Sequence, residues 1–142
     1  MSEPQPTLDR LDGLVDQMRE AGLDVDVSVD GDIRPLTPGV GLSAYRIVQE
    51  ALTNTLKHAG PPARTEVVLR FGADRLDVVV LDNGRGPAAA DARRNGQPPV
   101  NGLIGMRERV SLLGGDLTVG RRLGGGFEVR ATFPMASAAP HR

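Results

Sequence analysis

A chain of 142 residues with 17 basic and 18 acidic side chains has a formal net charge of −1, so no overall field draws it to nucleic acid or to an anionic membrane. The absence of cysteine excludes disulfides and thiolate metal sites, and three Phe, one Tyr and no Trp leave few rings for base stacking. The length suits one domain, no apolar run approaches the ~18 residues of a membrane span, and the opening residues lack the basic and apolar parts of a signal peptide, so a soluble, cytoplasmic domain is expected.

Residues 1–6 are polar and proline-rich and read as a linker or disordered start; the folded domain is expected over 7–134. Leu8, Leu11, Val15 and Met18 recur at helical spacing up to Gly22, a C-terminal stop. From Leu23 to Asp30 apolar and polar residues alternate strictly, which predicts a half-buried strand, a candidate sheet edge. A loop rich in proline and glycine then leads into a longer helix, predicted from near Pro38 to near Ala59 and stopped by Gly60-Pro61-Pro62. Thr65–Phe71 and Leu76–Leu81 are β-branched-rich and separated by Gly72-Ala73-Asp74-Arg75, a hairpin whose second arm reads as the central strand.

The pattern then breaks down from Asp82 to Gly102, a stretch too long for a simple connection and of the length of a lid. Leu103, Met106, Val110 and Leu113 predict a helix ended by Gly114-Gly115. Leu117 and Val119, then Phe127, Val129, Ala131 and Phe133, predict a second hairpin around Gly124-Gly125-Gly126. The Ala/Ser-rich residues 135–142 read as a disordered tail. The order helix, strand, helix, hairpin, lid, helix, hairpin predicts an α+β two-layer sandwich, a mixed and mostly antiparallel sheet covered on one face by helices.

Three stretches carry candidate chemistry. On the long helix, at ~100° per residue, Ala44, Ile47, Val48, Ala51, Leu52, Thr55 and Leu56 form a mostly apolar stripe, while Glu50, Asn54, Lys57 and His58 share an adjoining face. Carboxylate and amide oxygens suit Mg²⁺ and a cation suits phosphate, although a solvated face with ordinary i,i+4 pairs has the same pattern. Asp82-Asn83-Gly84-Arg85-Gly86 follows the best strand, where a carboxylate is rigidly held and glycines let backbone approach a flat ligand; as composition alone it is also ordinary turn chemistry. Asn101-Gly102-Leu103-Ile104-Gly105-Met106 opens a helix, where free N–H groups favour phosphate, and Gly105 costs helix stability of about 1 kcal/mol against Ala, which points to close backbone approach. The last glycine run is explained by a hairpin turn.

Together, Glu50-x-x-x-Asn54, Asp82-x-Gly84-x-Gly86, Gly102-x-x-Gly105 and a glycine-rich final strand entry resemble the ATP-binding domain shared by gyrase, heat-shock chaperone, histidine kinase and mismatch-repair ATPases, the GHKL or Bergerat fold. The resemblance covers roughly Leu36 to Pro134. Tyr45-Arg-Ile-Val-Gln-Glu-Ala-Leu-Thr-Asn, Asp-Asn-Gly-Arg-Gly and Gly-Leu-Ile-Gly-Met-Arg-Glu-Arg-Val are similar, more narrowly, to sensor histidine kinases that signal to LuxR-type response regulators.

The resemblance implies Mg-ATP as ligand. Asn54 would coordinate Mg²⁺, Glu50 would orient a metal-bound water or act as a base, and Lys57 and His58 would lie near phosphate oxygens. Asp82 would read the adenine amino group, Gly84 and Gly86 would shape the pocket, and Gly102, Leu103, Gly105 and Met106 would belong to the lid side of the nucleotide site. Phe127 stands where many relatives have a threonine that supports the adenine-binding aspartate. The family's acceptor is a histidine on dimerising helices, and neither His58 nor His141 fits that role, so the chain is expected to be the catalytic part of a longer kinase, monomeric by itself and without autophosphorylation. A free-standing protein-serine kinase and anti-sigma factor of the same fold, or a degenerate partner-binding module, remain the alternatives.

Overall fold

In a computed structural model of the chain, the backbone is described over residues 6–58, 64–83, 101–122 and 125–135, with the side chains of 6–9, 58 and 101–104 left aside. The predicted lid, Gly84 and Gly86, the Gly60-Pro61-Pro62 stop, Gly124 and both termini lie outside these residues.

The elements run α1 (Pro6–Glu20), β1 (Asp24–Gly31), α2 (Pro38–His58), β2 (Arg64–Phe71), β3 (Arg75–Asp82), α3 (Asn101–Leu112), β4 (Asp116–Arg121) and β5 (Phe127–Pro134). The helix α1 stops where expected: Gly22 has φ +106°, the Leu23 N–H reaches back to the Met18 carbonyl and the Gly22 N–H to that of Arg19, the paired bonds that close a helix on a left-handed residue. The helix α2 starts on Thr37, whose hydroxyl accepts from the Val40 N–H at 3.4 Å, with Pro38 in the first turn where its missing N–H costs nothing.

The five strands lie in the order β1-β2-β3-β5-β4. Only β1 and β2 are parallel; the other three pairs are antiparallel. A parallel pair needs a crossover, and α2 is that crossover, which lays it over the sheet. The strand at the centre is β3, as its Leu-Asp-Val-Val-Val-Leu run predicts, and all but two of its residues are buried.

Alternation sorts each strand into two faces. Val67, Leu69 and Phe71 of β2, Leu76, Val78 and Val80 of β3, and Val129, Ala131 and Phe133 of β5 meet Ile47, Val48, Ala51 and Leu52 of α2 in one core, joined by Leu11, Leu14 and Val15 of α1 and Val110 of α3. The Arg10 guanidinium stands 5.0 Å from the centre of the Tyr45 ring and ties α1 to α2 from the outside. The far face of the sheet carries polar groups, among them Asp77, 7% exposed, which accepts a hydrogen bond from the Thr132 hydroxyl at 3.1 Å.

Candidate functional site

The two faces meet at the C-terminal end of β3. Asp82 is the last residue of that strand rather than the first of a turn: it pairs with Thr65 on one side and Phe127 on the other. Extension of the ladder by this one residue fixes the carboxylate, since residues at even positions of β3 face α2. Asp82 is 8% exposed. Its carboxylate accepts from the Thr55 hydroxyl of α2 at 3.2 Å, and its main-chain carbonyl accepts from the Arg122 guanidinium at 3.0 Å. Asn83 closes the strand end: its N–H donates to the Arg64 carbonyl at 3.1 Å and its side-chain oxygen accepts the Arg64 N–H at 2.6 Å.

Thr55 is counted in the apolar stripe by its helical position, and it is 5% exposed as that position requires. Its hydroxyl has one proton and two acceptors in reach, the Asp82 carboxylate and the Ala51 carbonyl one turn back at 3.0 Å. The carboxylate is the stronger partner when ionised. Thr65, opposite Asp82, is a second buried threonine at 1% exposure, and its hydroxyl has no hydrogen-bond partner among the described residues. Neither threonine stood out as a site residue. The signal that marks both is a hydroxyl within an otherwise apolar face that packs against the strongest strand.

Asn54 follows on the helix, turned ~100° from Thr55. It is partly buried, and its side-chain nitrogen is a buried donor without a partner among the described residues, as few native buried polar atoms are. An unmet buried donor costs about 1–3 kcal/mol, a cost that a bound acceptor would remove. Glu50, one turn before, is partly buried and Lys57 exposed, so this face runs from half-covered groups to an exposed cation. The structure thus brings Glu50, Asn54 and Lys57 onto one side of α2, with Asp82 beneath its neighbour Thr55.

On the lid side, Gly102 and Leu103 lie in the first turn of α3, which begins at Asn101, two residues before the first apolar position. Gly105 lies inside the helix, not at its entry. It is exposed, and a methyl group there would meet nothing within 4 Å, so the described residues supply no close backbone approach. Met106 is half-buried and packs against the core, as does Phe127, on the side of the sheet that Asp82 faces. Among the described residues no three histidine, cysteine, aspartate or glutamate side chains converge on one point. Mg²⁺ needs no such cage, because it keeps several waters and takes only one or two protein ligands beside phosphates.

Next to this strand end, a cavity of about 330 Å³ opens across β1, β2 and β3, lined by Asp26, Arg64, Thr65, Glu66, Leu81, Asn83 and Arg122. Its charges are largely internal: Arg64 pairs with Asp24 at 3.5 Å and with Asp26 at 3.7 Å.

Comparison with known proteins agrees with this geometry. Residues 39–137 match the family model described as histidine kinase-, DNA gyrase B- and HSP90-like ATPase. The histidine-protein kinase/phosphatase DegS of Bacillus subtilis is 32% identical over 101 residues, 71% of this chain and 26% of DegS. The sensor histidine kinase YxjM of the same organism is 31% identical over 136 residues, 94% of this chain and 32% of YxjM. Among solved structures, the histidine kinase domain of the blue-light-activated kinase of Erythrobacter litoralis EL346 aligns with a TM-score of 0.60 at 30% identity, covering 86% of this chain and 61% of that one. The chain therefore spans about a quarter to a third of the curated relatives. With a family match over more than half its length, the chain belongs to the histidine kinase-, DNA gyrase B- and HSP90-like ATPases, as an ATPase catalytic domain homologous to those of sensor histidine kinases.

Proposed function

We propose that this domain binds Mg-ATP between α2, the end of β3 and the start of α3, and transfers the γ-phosphoryl group to a histidine supplied by dimerisation helices outside this chain. The observation that carries the proposal is the pairing of a buried, hydrogen-bonded carboxylate, Asp82, with an unmet donor on the adjacent helical position, Asn54. Asp82 is an acceptor fit for the adenine amino group. Asn54 would hold Mg²⁺ through its amide oxygen, and its free N–H₂ would donate to a phosphate oxygen. When bound, the ion would offset charge on the triphosphate.

The chain's own residues then bind and orient. Glu50 would orient a metal-bound water or accept a proton, Lys57 and His58 would lie near phosphate oxygens, Gly84 and Gly86 would shape the pocket, and the backbone of Gly102 and Gly105, with Leu103 and Met106, would border the lid. Phosphoryl transfer asks a protein mainly for position and charge stabilisation, and this set needs no covalent intermediate on the domain. The transferred group bonds to the acceptor imidazole nitrogen as the bond to ADP breaks. The downstream partner in this reading is a LuxR-type response regulator, and the isolated domain is a monomer.

Calorimetric titration of ATP with and without Mg²⁺ tests the site. The native chain should bind in a magnesium-dependent way, Asp82→Asn should lose binding, and Asn54→Ala should lose the metal dependence. A folded native chain that binds no ATP, or mutants that titrate like the native chain, would refute the reading.

A further inference from the structure

We infer that the Thr65 hydroxyl is a second base-reading group, which donates to the purine ring nitrogen next to the amino group taken by Asp82. The inference rests on the proposed adenine contact of Asp82 and extends it to a residue on a different strand. Thr65 and Asp82 are direct cross-strand partners. The adjacent pair, Arg64 and Asn83, exchanges the main-chain hydrogen bond, so Thr65 and Asp82 form the other kind of pair, in which the side chains stand closer. Directly opposed residues share a face, so both side chains lie on the α2 side, where Thr55 reaches Asp82.

Two threonines thus neighbour Asp82, one on the helix and one on the facing strand, but their circumstances differ. Thr55 is occupied by Asp82 and the Ala51 carbonyl, whereas Thr65 is 1% exposed and its hydroxyl has no partner among the described residues. Valine has the same shape and β propensity without a polar atom to bury, so packing alone gives no reason for threonine at this position. A ligand does. A carboxylate only accepts, while a hydroxyl can donate. The adenine edge presents a donor, the 6-amino group, next to an acceptor, ring N1. Asp82 satisfies the first and Thr65 the second, directly or through one water. Guanine presents a carbonyl oxygen and an N–H at the same two positions, so its oxygen would face the Asp82 carboxylate. The pair therefore selects adenine.

The test titrates the full chain with ATP, GTP and 1-deaza-ATP, which keeps the amino group but has C–H in place of N1. Thr65→Val should bind ATP about fivefold more weakly, the worth of one net hydrogen bond of about 1 kcal/mol, while its unfolding temperature stays level or rises. Thr65→Ser should recover most of the loss. The native chain should bind 1-deaza-ATP with the same fivefold weakness, and Thr65→Val should lose nothing further with that analogue. Equal affinity of the native chain for ATP and 1-deaza-ATP, or native ATP affinity and ATP/GTP ratio in Thr65→Val, overturns the inference. If Asp82→Asn still loses ATP in that case, the proposed function stands and only the role of Thr65 falls; if the native chain binds no ATP, both fall.

Discussion

Removal of the Thr55 hydroxyl isolates the contact that joins the helix to the strand. Thr55→Val keeps shape and helix propensity and deletes one O–H donor. A hydrogen bond to a charged acceptor contributes about 1.5–3 kcal/mol. At 3.2 Å the contact is long for O–H···O, and the proton is shared with the Ala51 carbonyl at 3.0 Å, so the lower end applies. Loss of about 1.5 kcal/mol in a domain of this size lowers the unfolding temperature by about 5 °C. Thermal unfolding by circular dichroism reads that shift, and Thr55→Ser should be near native. A double-mutant cycle with Asp82→Ala should give a coupling of about 1 kcal/mol, because the two residues share one bond. An unchanged transition in Thr55→Val, with effects that simply add in the cycle, would show that the contact carries no energy and that Asp82 is held by its strand alone.

Gly126→Ala places a methyl group 1.9 Å from the Asp82 carbonyl oxygen at a φ of +100°, so urea unfolding should show a loss of about 2 kcal/mol or more, together with loss of ATP binding; a native midpoint would contradict the strand-end geometry. Asp77→Ala, on the opposite face, removes the acceptor of Thr132 and should cost about 1–2 kcal/mol in the same assay while leaving ATP affinity unchanged. Phe133→Ala, at 0% exposure, should cost about 3–5 kcal/mol, whereas Leu112→Ala, at 87% exposure, should stay within about 0.5 kcal/mol; comparable losses in the two would refute the placement of the core.

Much of this fold can be read from periodicity. The strict alternation of Leu23 to Asp30, the apolar run of β3 and the 3.6-residue stripe of α2 each have one physical solution, and β1, β3 and α2 are found there. The ends are less legible. Asp82 reads as turn chemistry beside Asn83 and Gly84, yet its partners on both sides, Thr65 and Phe127, draw it into the ladder, and a single sequence does not reveal cross-strand register. Gly105, marked by its helix cost as a point of close approach, borders open space among the described residues, which leaves room for a ligand and identifies none. The candidate site divides in the same way. Glu50, Asn54 and Lys57 declare themselves because charged and amide groups share a helix face. Thr55 and Thr65 stay hidden because β-branched residues suit both a buried helix stripe and a strand, and only tertiary contact separates a packing threonine from a bonding one.

The architecture places adjacent residues of one helix on two sides of the proposed site. The parallel β1–β2 pair obliges α2 to cross the sheet, and the core contacts of Ile47, Val48, Ala51 and Leu52 fix its rotation about its own axis. With that rotation set, Thr55 points down to Asp82, and Asn54, about 100° away, points along the rim toward the side where Glu50 and Lys57 stand. The threonine that supports the proposed base-reading carboxylate and the proposed metal ligand are therefore neighbours on a single rigid element. A substitution that rolls α2, such as a larger side chain at Ala51, 4% exposed, displaces both together. Base selectivity and magnesium dependence should then fail in concert, whereas changes at Thr65 or Asn54 themselves separate them.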